Sequence, residues 1–172
     1  WPYESNGIDD YNTKARQIVT KMLDGKSDEE IAKYSFVIFN EPDGIWYTNK
    51  VDQMCNDWLT IYTTIKDICP DAKVAGPNFS VYNSSAYQKF FAFCKTNNCL
   101  PEYITWHELQ KDKLTSFASH CKEVKGYVET YYAGSLIEPV IFVNETVNFD
   151  DVGNPGALVN WLSIFDEEDV YA

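Results

Sequence analysis

Residues 36–47 read FVIFNEPDGIWY: four apolar residues run straight into Asn40-Glu41-Pro42, and Gly44, Trp46 and Tyr47 follow at once. A short apolar run closed by Pro42-Asp43-Gly44 is the pattern of a buried strand ending in a turn. Glu41 stands at the lip of that strand with no basic residue beside it in sequence. Turn chemistry alone does not call for a carboxylate there.

Working outward, the strand over Tyr34 to Asn40 is one of four. Lys73-Val-Ala-Gly76 ends in Pro77, Tyr103-Ile-Thr-Trp106 precedes His107, and Val140-Ile-Phe-Val143 precedes Asn144-Glu145. Helical patterns alternate with them. Asp9 to Gly25 carries Ile18, Val19, Met22 and Leu23 on one face, and Ser27 to Glu30 has capping-box spacing. Val51, Met54, Cys55, Trp58, Ile61, Ile65 and Ile68 recur at three- and four-residue steps until Pro70. Further helices are expected from Ser84 to about Lys95, from Asp112 to Tyr132, and from Gly156 to Phe165, the last behind Asn154-Pro155. Val170-Tyr-Ala172 has the look of another strand beginning.

Strands separated by helices imply parallel βαβ units, because parallel pairing needs a long crossover. The fold class is therefore α/β, either a doubly wound open sheet or part of a (β/α)8 barrel. Neither GxGxxG nor GxxxxGK[ST], which would favour the open sheet, occurs. No polar linker or repeat divides the 172 residues, a normal length for one domain.

Composition excludes some functions. A net charge of −12 argues against nucleic acid or an anionic membrane surface as partner. No apolar run is long enough for membrane insertion. The chain starts without Met and shows no signal-like segment, so localisation stays open, secretion included. Aromatic residues make up 16%, enough to supply both a core and stacking faces for ring-shaped ligands. Cys55 and Cys69 read as core residues, whereas Cys94 and Cys99 suit either a disulfide or a thiol pair. With His107 and His120 as the two histidines and no finger-spaced cysteines, a zinc site is not expected, nor is any cofactor.

Parallel strands put their carboxyl ends on one face, where both architectures keep their active sites. Those ends carry Asn40-Glu41, Gly76-Pro77-Asn78, Trp106-His107-Glu108 and Asn144-Glu145-Thr146. Each residue alone has a plain alternative: Glu41 or Glu145 a loop brace, His107 a satisfied core histidine, the tryptophans packing. Their joint placement is what suggests a site. Side-chain alternation points Glu108 away from His107.

Asn40-Glu41-Pro42 after a buried strand, His107 two βα units later and Glu145 at the next strand end resemble glycoside hydrolase clan A. The stretch Phe39-Asn-Glu-Pro-Asp43 most resembles family 39, the β-xylosidase and α-iduronidase group. The resemblance implies a (β/α)8 barrel, present here as an incomplete one: residues 1–172 are a partial catalytic domain running from the end of strand three at Trp1-Pro2, through strands four to seven, to the start of strand eight. It also implies an O-glycosyl hydrolase of the retaining, double-displacement kind. Glu41 takes the role of acid/base and Glu145 that of nucleophile. Asn40, His107, Trp46, Tyr47 and Trp106 become candidate substrate-binding residues, and the partner is an oligosaccharide or glycoside. Family 39 often shows Ser-x-His-x-Tyr on strand six and a Trp near the nucleophile, where this chain has Thr105-Trp-His-Glu-Leu109 and Asn144-Glu-Thr-Val147. Those departures bear on substrate more than on reaction. A non-catalytic carbohydrate-binding or degenerate barrel, and a different α/β enzyme, are the alternatives. A full barrel takes about 250 residues. By itself this segment is therefore expected to expose strand edges, to self-associate and to lack substantial hydrolase activity.

Overall fold

The computed structural model describes residues 2–110 and 113–171. Among the described residues ten elements follow one another: α1 (Pro2–Leu23), α2 (Asp28–Ile31), β1 (Ser35–Val37), α3 (Val51–Ile68), β2 (Lys73–Phe79), α4 (Ser84–Asn97), β3 (Tyr103–Glu108), α5 (Leu114–Tyr131), β4 (Val140–Thr146) and α6 (Pro155–Glu167). The four strands form one sheet in the order β1-β2-β3-β4, and every pairing is parallel. Helices pack in the same succession, α1 on α3, α3 on α4, α4 on α5 and α5 on α6. Sequential order with helices along one face is the arrangement of a barrel arc, not of a doubly wound sheet. The protein is an α/β partial barrel of four strands.

Local chemistry accounts for the boundaries. Ser27 and Glu30 form the expected capping box: Ser27 Oγ accepts from the Glu30 N–H (3.3 Å), and Glu30 Oε2 accepts from the Ser27 N–H (2.9 Å). Asn83 and Asn154 cap α4 and α6 through their side-chain oxygens, with Pro155 opening α6. The first helix begins earlier than its apolar pattern suggests, at Pro2, with a break at Gly7, whose φ of 77° is open to glycine at little cost. Pro2 thus opens a helix instead of closing strand three, while Trp1 lies outside the described residues, as do Asp112 and Ala172. Tyr171 makes a parallel bridge to Phe142, so the chain does turn back beside β4 where a further strand was expected.

Strand lengths differ from expectation in both directions. β2 continues through Pro77 to Phe79, because the register skips Asn78 and resumes at Phe79 opposite Trp106. The first strand is shorter than Tyr34–Asn40, and it is not buried throughout. Phe36, Ile38 and Phe39 pack into the core, while Ser35 and Val37 face the open inner side together with Thr105, Phe142 and Asn144. Alternation along each strand therefore separates an aromatic-rich layer under the helices from a more polar inner face.

The core lies between sheet and helices. Trp58, fully buried, meets Phe90 edge-on at 5.0 Å, and Phe117 packs on Trp161 at 4.9 Å and Phe165 at 5.1 Å. Gly76 exists to admit Trp58: a Cβ built there would lie 2.3 Å from Trp58 Cζ3. All five cysteines are free thiols, so of the two readings of Cys94 and Cys99 the structure has the thiol pair. Burial pushes the Cys55 and Cys121 thiols up to about 12. Among the described residues, no helix is long and apolar enough to cross a membrane.

Candidate active site

The chain leaves β1 through Glu41 itself, in the left-handed region (φ 47°). Two further residues at the same rim are also left-handed, Asn78 (φ 62°) at the irregularity near the end of β2 and Val147 (φ 72°) just after β4. For residues other than glycine such angles cost of order 1–3 kcal/mol each, and they persist where surrounding contacts fix them. Those contacts are visible around Glu41. Its N–H donates to Asn78 O (3.0 Å), the Asn78 amide donates to Asn40 Oδ1 (3.0 Å), and the Asp43 carboxylate accepts from the Ser80 N–H (2.8 Å) and hydroxyl (2.9 Å). The turn after Pro42 closes on Tyr47 N–H to Pro42 O (2.8 Å). The end of β2 therefore holds Asn40 and Glu41 in place.

His107 arrives from β3, fully buried. A register irregularity between Trp106 and His107 sets His107 opposite Glu145 and leaves Asn144 unpaired. Without that shift Asn144 would face His107. His107 Nδ1 lies 2.9 Å from Glu41 Oε1, and its Nε2 lies 3.6 Å from Glu145 Oε1. The glutamate side chains are 41% and 51% exposed, so both reach the open side of the rim. One ligand atom from each of Glu41, His107 and Glu145 falls within 4.8 Å of the others. The structure thus brings together the two carboxylates and the histidine singled out from sequence, on strands far apart in the chain.

The expected aromatic floor is mostly not at the rim. Trp106 is completely buried on the helix side, 6.3 Å from the Phe117 ring, and its indole N–H donates to Glu108 Oε2 (2.7 Å). Tyr47 is also core: its ring packs on Phe39 at 5.4 Å and its hydroxyl donates to Asp57 Oδ2 (2.8 Å). Both are corrections to their reading as substrate-binding residues, and both have one cause. A strand's alternate side chains, and a turn folded back on its own helix, face the core when large and aromatic. Trp46 is half-buried against the core and keeps an exposed part. Asn40 is exposed at the rim.

Glu108 points away from His107, as alternation required, and is buried with His120 Nδ1 3.1 Å from its Oε2. Tyr82 stacks on the His120 ring at 4.2 Å. Sequence reasoning did not foresee the part played by Asn78, which is 1% exposed and braces Asn40. The signal was its place at a strand end, where Asn tolerates the left-handed conformation better than most residues.

No family model matches the chain. Two curated relatives do: a 3-O-β-L-arabinopyranosyl-α-L-arabinofuranosidase of Bifidobacterium pseudocatenulatum, 30% identical over 97% of this chain and 19% of the relative, and a 3-O-α-D-galactosyl-α-L-arabinofuranosidase of Bifidobacterium longum subsp. longum, 25% identical over 95% and 16%. The chain thus spans less than a fifth of the length of these relatives. A solved structure from Neocallimastix frontalis matches 99% of this chain and 41% of its own, with TM-score 0.80 and 29% identity. A GH39 β-xylosidase of Caulobacter crescentus matches 81% and 30%, with TM-score 0.67 and 18% identity, which is a likeness of fold. The curated relatives are glycosidases, and the likeness of fold extends to a GH39 enzyme, in keeping with the partial barrel expected from sequence.

Proposed function

We propose that residues 1–172 belong to the catalytic domain of a retaining glycoside hydrolase, with Glu41 as acid/base and Glu145 as nucleophile. The observation that carries this reading is the approach of the two carboxylates to within 4.8 Å on one rim, with His107 between them. Retaining enzymes hold the pair about 5–5.5 Å apart, whereas inverting enzymes need roughly 6.5–9.5 Å to admit a water. The closeness supports the retaining geometry.

In the first step Glu41 protonates the glycosidic oxygen while Glu145 attacks the anomeric carbon, giving a glycosyl ester and a free leaving group. In the second, Glu41 as carboxylate takes a proton from water, which attacks the same carbon and releases Glu145. The roles demand opposite protonation states at one pH. His107 stands between the two carboxylates, in contact with Glu41 through Nδ1 and facing Glu145 through Nε2, and so positions both side chains. Asn40, whose Oδ1 is occupied by Asn78, has its amide N–H to offer a sugar hydroxyl beside the reacting carbon.

Both curated relatives are named as α-L-arabinofuranosidases for a unit that carries a sugar on O3, which supports an α-L-arabinofuranoside with a sugar substituent as substrate. The test is to incubate the full-length protein with an activated 2-deoxy-2-fluoro arabinofuranoside and map the modified peptide by mass spectrometry. A stable ester on Glu145 is expected. Labelling of another carboxylate, with turnover intact, rules the assignment out.

A further inference from the structure

We propose that Glu41, His107 and Glu145 also form a binding site for a divalent cation of the Zn²⁺ class, taken up in competition with the glycoside. The binding follows from the donor set alone; the competition rests on the hydrolase reading above.

The donors are one imidazole nitrogen and two carboxylate oxygens, delivered by three strand ends and mutually within 4.8 Å. Acidic residues near one another are commonplace, and the histidine is the second observation. His107 is wholly buried, and its Nε2 has no hydrogen-bond partner among the described residues, yet it faces Glu145 Oε1 at 3.6 Å. Buried polar atoms are nearly always satisfied, so an unpaired imidazole nitrogen aimed at a carboxylate calls for an occupant between them. A metal ion held by Nε2 and Glu145 meets that need.

Zinc binds His nitrogen and carboxylate oxygen at about 2.0–2.2 Å, commonly through three protein ligands with the fourth position left to water. Tetrahedral ligands at that range stand roughly 3.3–3.5 Å apart. Closing the set around an ion on Nε2 needs a modest shift of Glu145 and a larger swing of Glu41 across the rim, open to both because they are substantially exposed, while His107 stays fixed. Glu41 gives up its contact with Nδ1 to do so. Two carboxylates offset the double positive charge. A nitrogen donor favours zinc, copper or nickel over magnesium and calcium, which take oxygen ligands in larger number. Sequence spacing concealed the site because its ligands lie 66 and 38 positions apart (41 to 107, 107 to 145).

Titration calorimetry of the full-length protein with ZnCl₂ tests the proposal. One ion per chain is expected, weakened at least tenfold by Glu145→Gln or His107→Gln. His120→Gln should leave binding unchanged, since His120 pairs with Glu108 behind the sheet, and MgCl₂ should give no heat. Glu145 is exposed, so Glu145→Gln remains informative if the His107 variant fails to fold. In turnover of an aryl arabinofuranoside, Zn²⁺ should raise KM and leave kcat unchanged. Undiminished Zn²⁺ binding in Glu145→Gln, or loss in His120→Gln, overturns the site. Hydrolysis with a KM indifferent to bound Zn²⁺ overturns the competition and leaves the hydrolase reading standing. A parent protein that binds zinc, loses it in Glu145→Gln and hydrolyses no glycoside upholds the site and removes the hydrolase reading.

Discussion

His107 and Glu108 are consecutive on β3 and serve opposite faces of the sheet. His107 meets Glu41 and Glu145 at the rim, while Glu108 receives the Trp106 indole N–H and His120 beneath the helices. The two should therefore separate function from stability. Glu108→Ala leaves the buried Trp106 donor without its acceptor, a loss of roughly 1–3 kcal/mol for that group. Thermal unfolding of the full-length protein should show a clear drop in Tm. His107→Gln should instead depress kcat strongly on glycosides. Equal loss of activity and of stability in both variants contradicts the division.

Gly76 offers a packing test away from the site. A methyl group there meets Trp58 Cζ3 at 2.3 Å and Cη2 at 2.6 Å. Trp58 cannot swing aside, because it is fully buried and its indole N–H donates to Cys99 O (2.9 Å). Gly76→Ala should cost about 1–3 kcal/mol by overpacking. Trp58→Phe removes the colliding atoms, so the double variant should lose less than the sum of the singles in denaturant titration. Simple additivity would show that the backbone absorbs the methyl elsewhere.

The strand-end residues of the site were legible in sequence because a parallel sheet turns strand ends into neighbours, whatever their separation along the chain. Asn40, Glu41, His107 and Glu145 all came from that rule. Side-chain direction beyond the strand was not legible: Tyr47 sits on a turn whose return path is set by hydrogen bonds to Glu41 and Pro42. Trp106 was readable in principle, since it shares a strand face with Glu108, whose outward direction alternation did assign. The irregularity that puts Glu145 and not Asn144 opposite His107 leaves no mark in composition or period. Chain ends of the strands were equally hidden, as β2 passes a proline that ordinarily closes a strand.

Glu168 gives a pH dependence with a definite sign. Burial works against its charge, yet the hydrogen bond and charge of Lys125, joined by Lys122, hold its carboxyl below the usual glutamate range. The pairs span 3.1 Å and 3.5 Å and tie the end of α6 to α5. A carboxyl depressed in the folded state adds stability above its unfolded value, about 4.3, and loses it as pH falls through the folded value. Unfolding measurements should find Glu168→Gln less stable than the parent at pH 7, with the gap closing below about pH 4. A gap that persists undiminished at pH 3 would assign the effect to packing instead of charge.

The last expectation concerns how Glu41 and Glu145 differ. On the proposed assignment, removing Glu145 blocks the first step for every substrate, so Glu145→Ala should abolish turnover and the trapped ester together. Removing the acid hurts in proportion to the leaving group's need for a proton. Glu41→Ala should therefore slow natural glycosides by roughly 10²–10⁴-fold, the usual contribution of general acid catalysis. Aryl glycosides with acidic phenols should still glycosylate Glu145, and the intermediate should then accumulate because no base activates water. Azide needs no base and fits a site vacated by a carboxylate, so it should restore turnover and yield a glycosyl azide of retained configuration, readable by NMR. An azide product of inverted configuration would mean that the nucleophile enters directly, with Glu145 in some other role. Exchange of the two phenotypes between the variants would reverse the assignment of acid and nucleophile while keeping the pair.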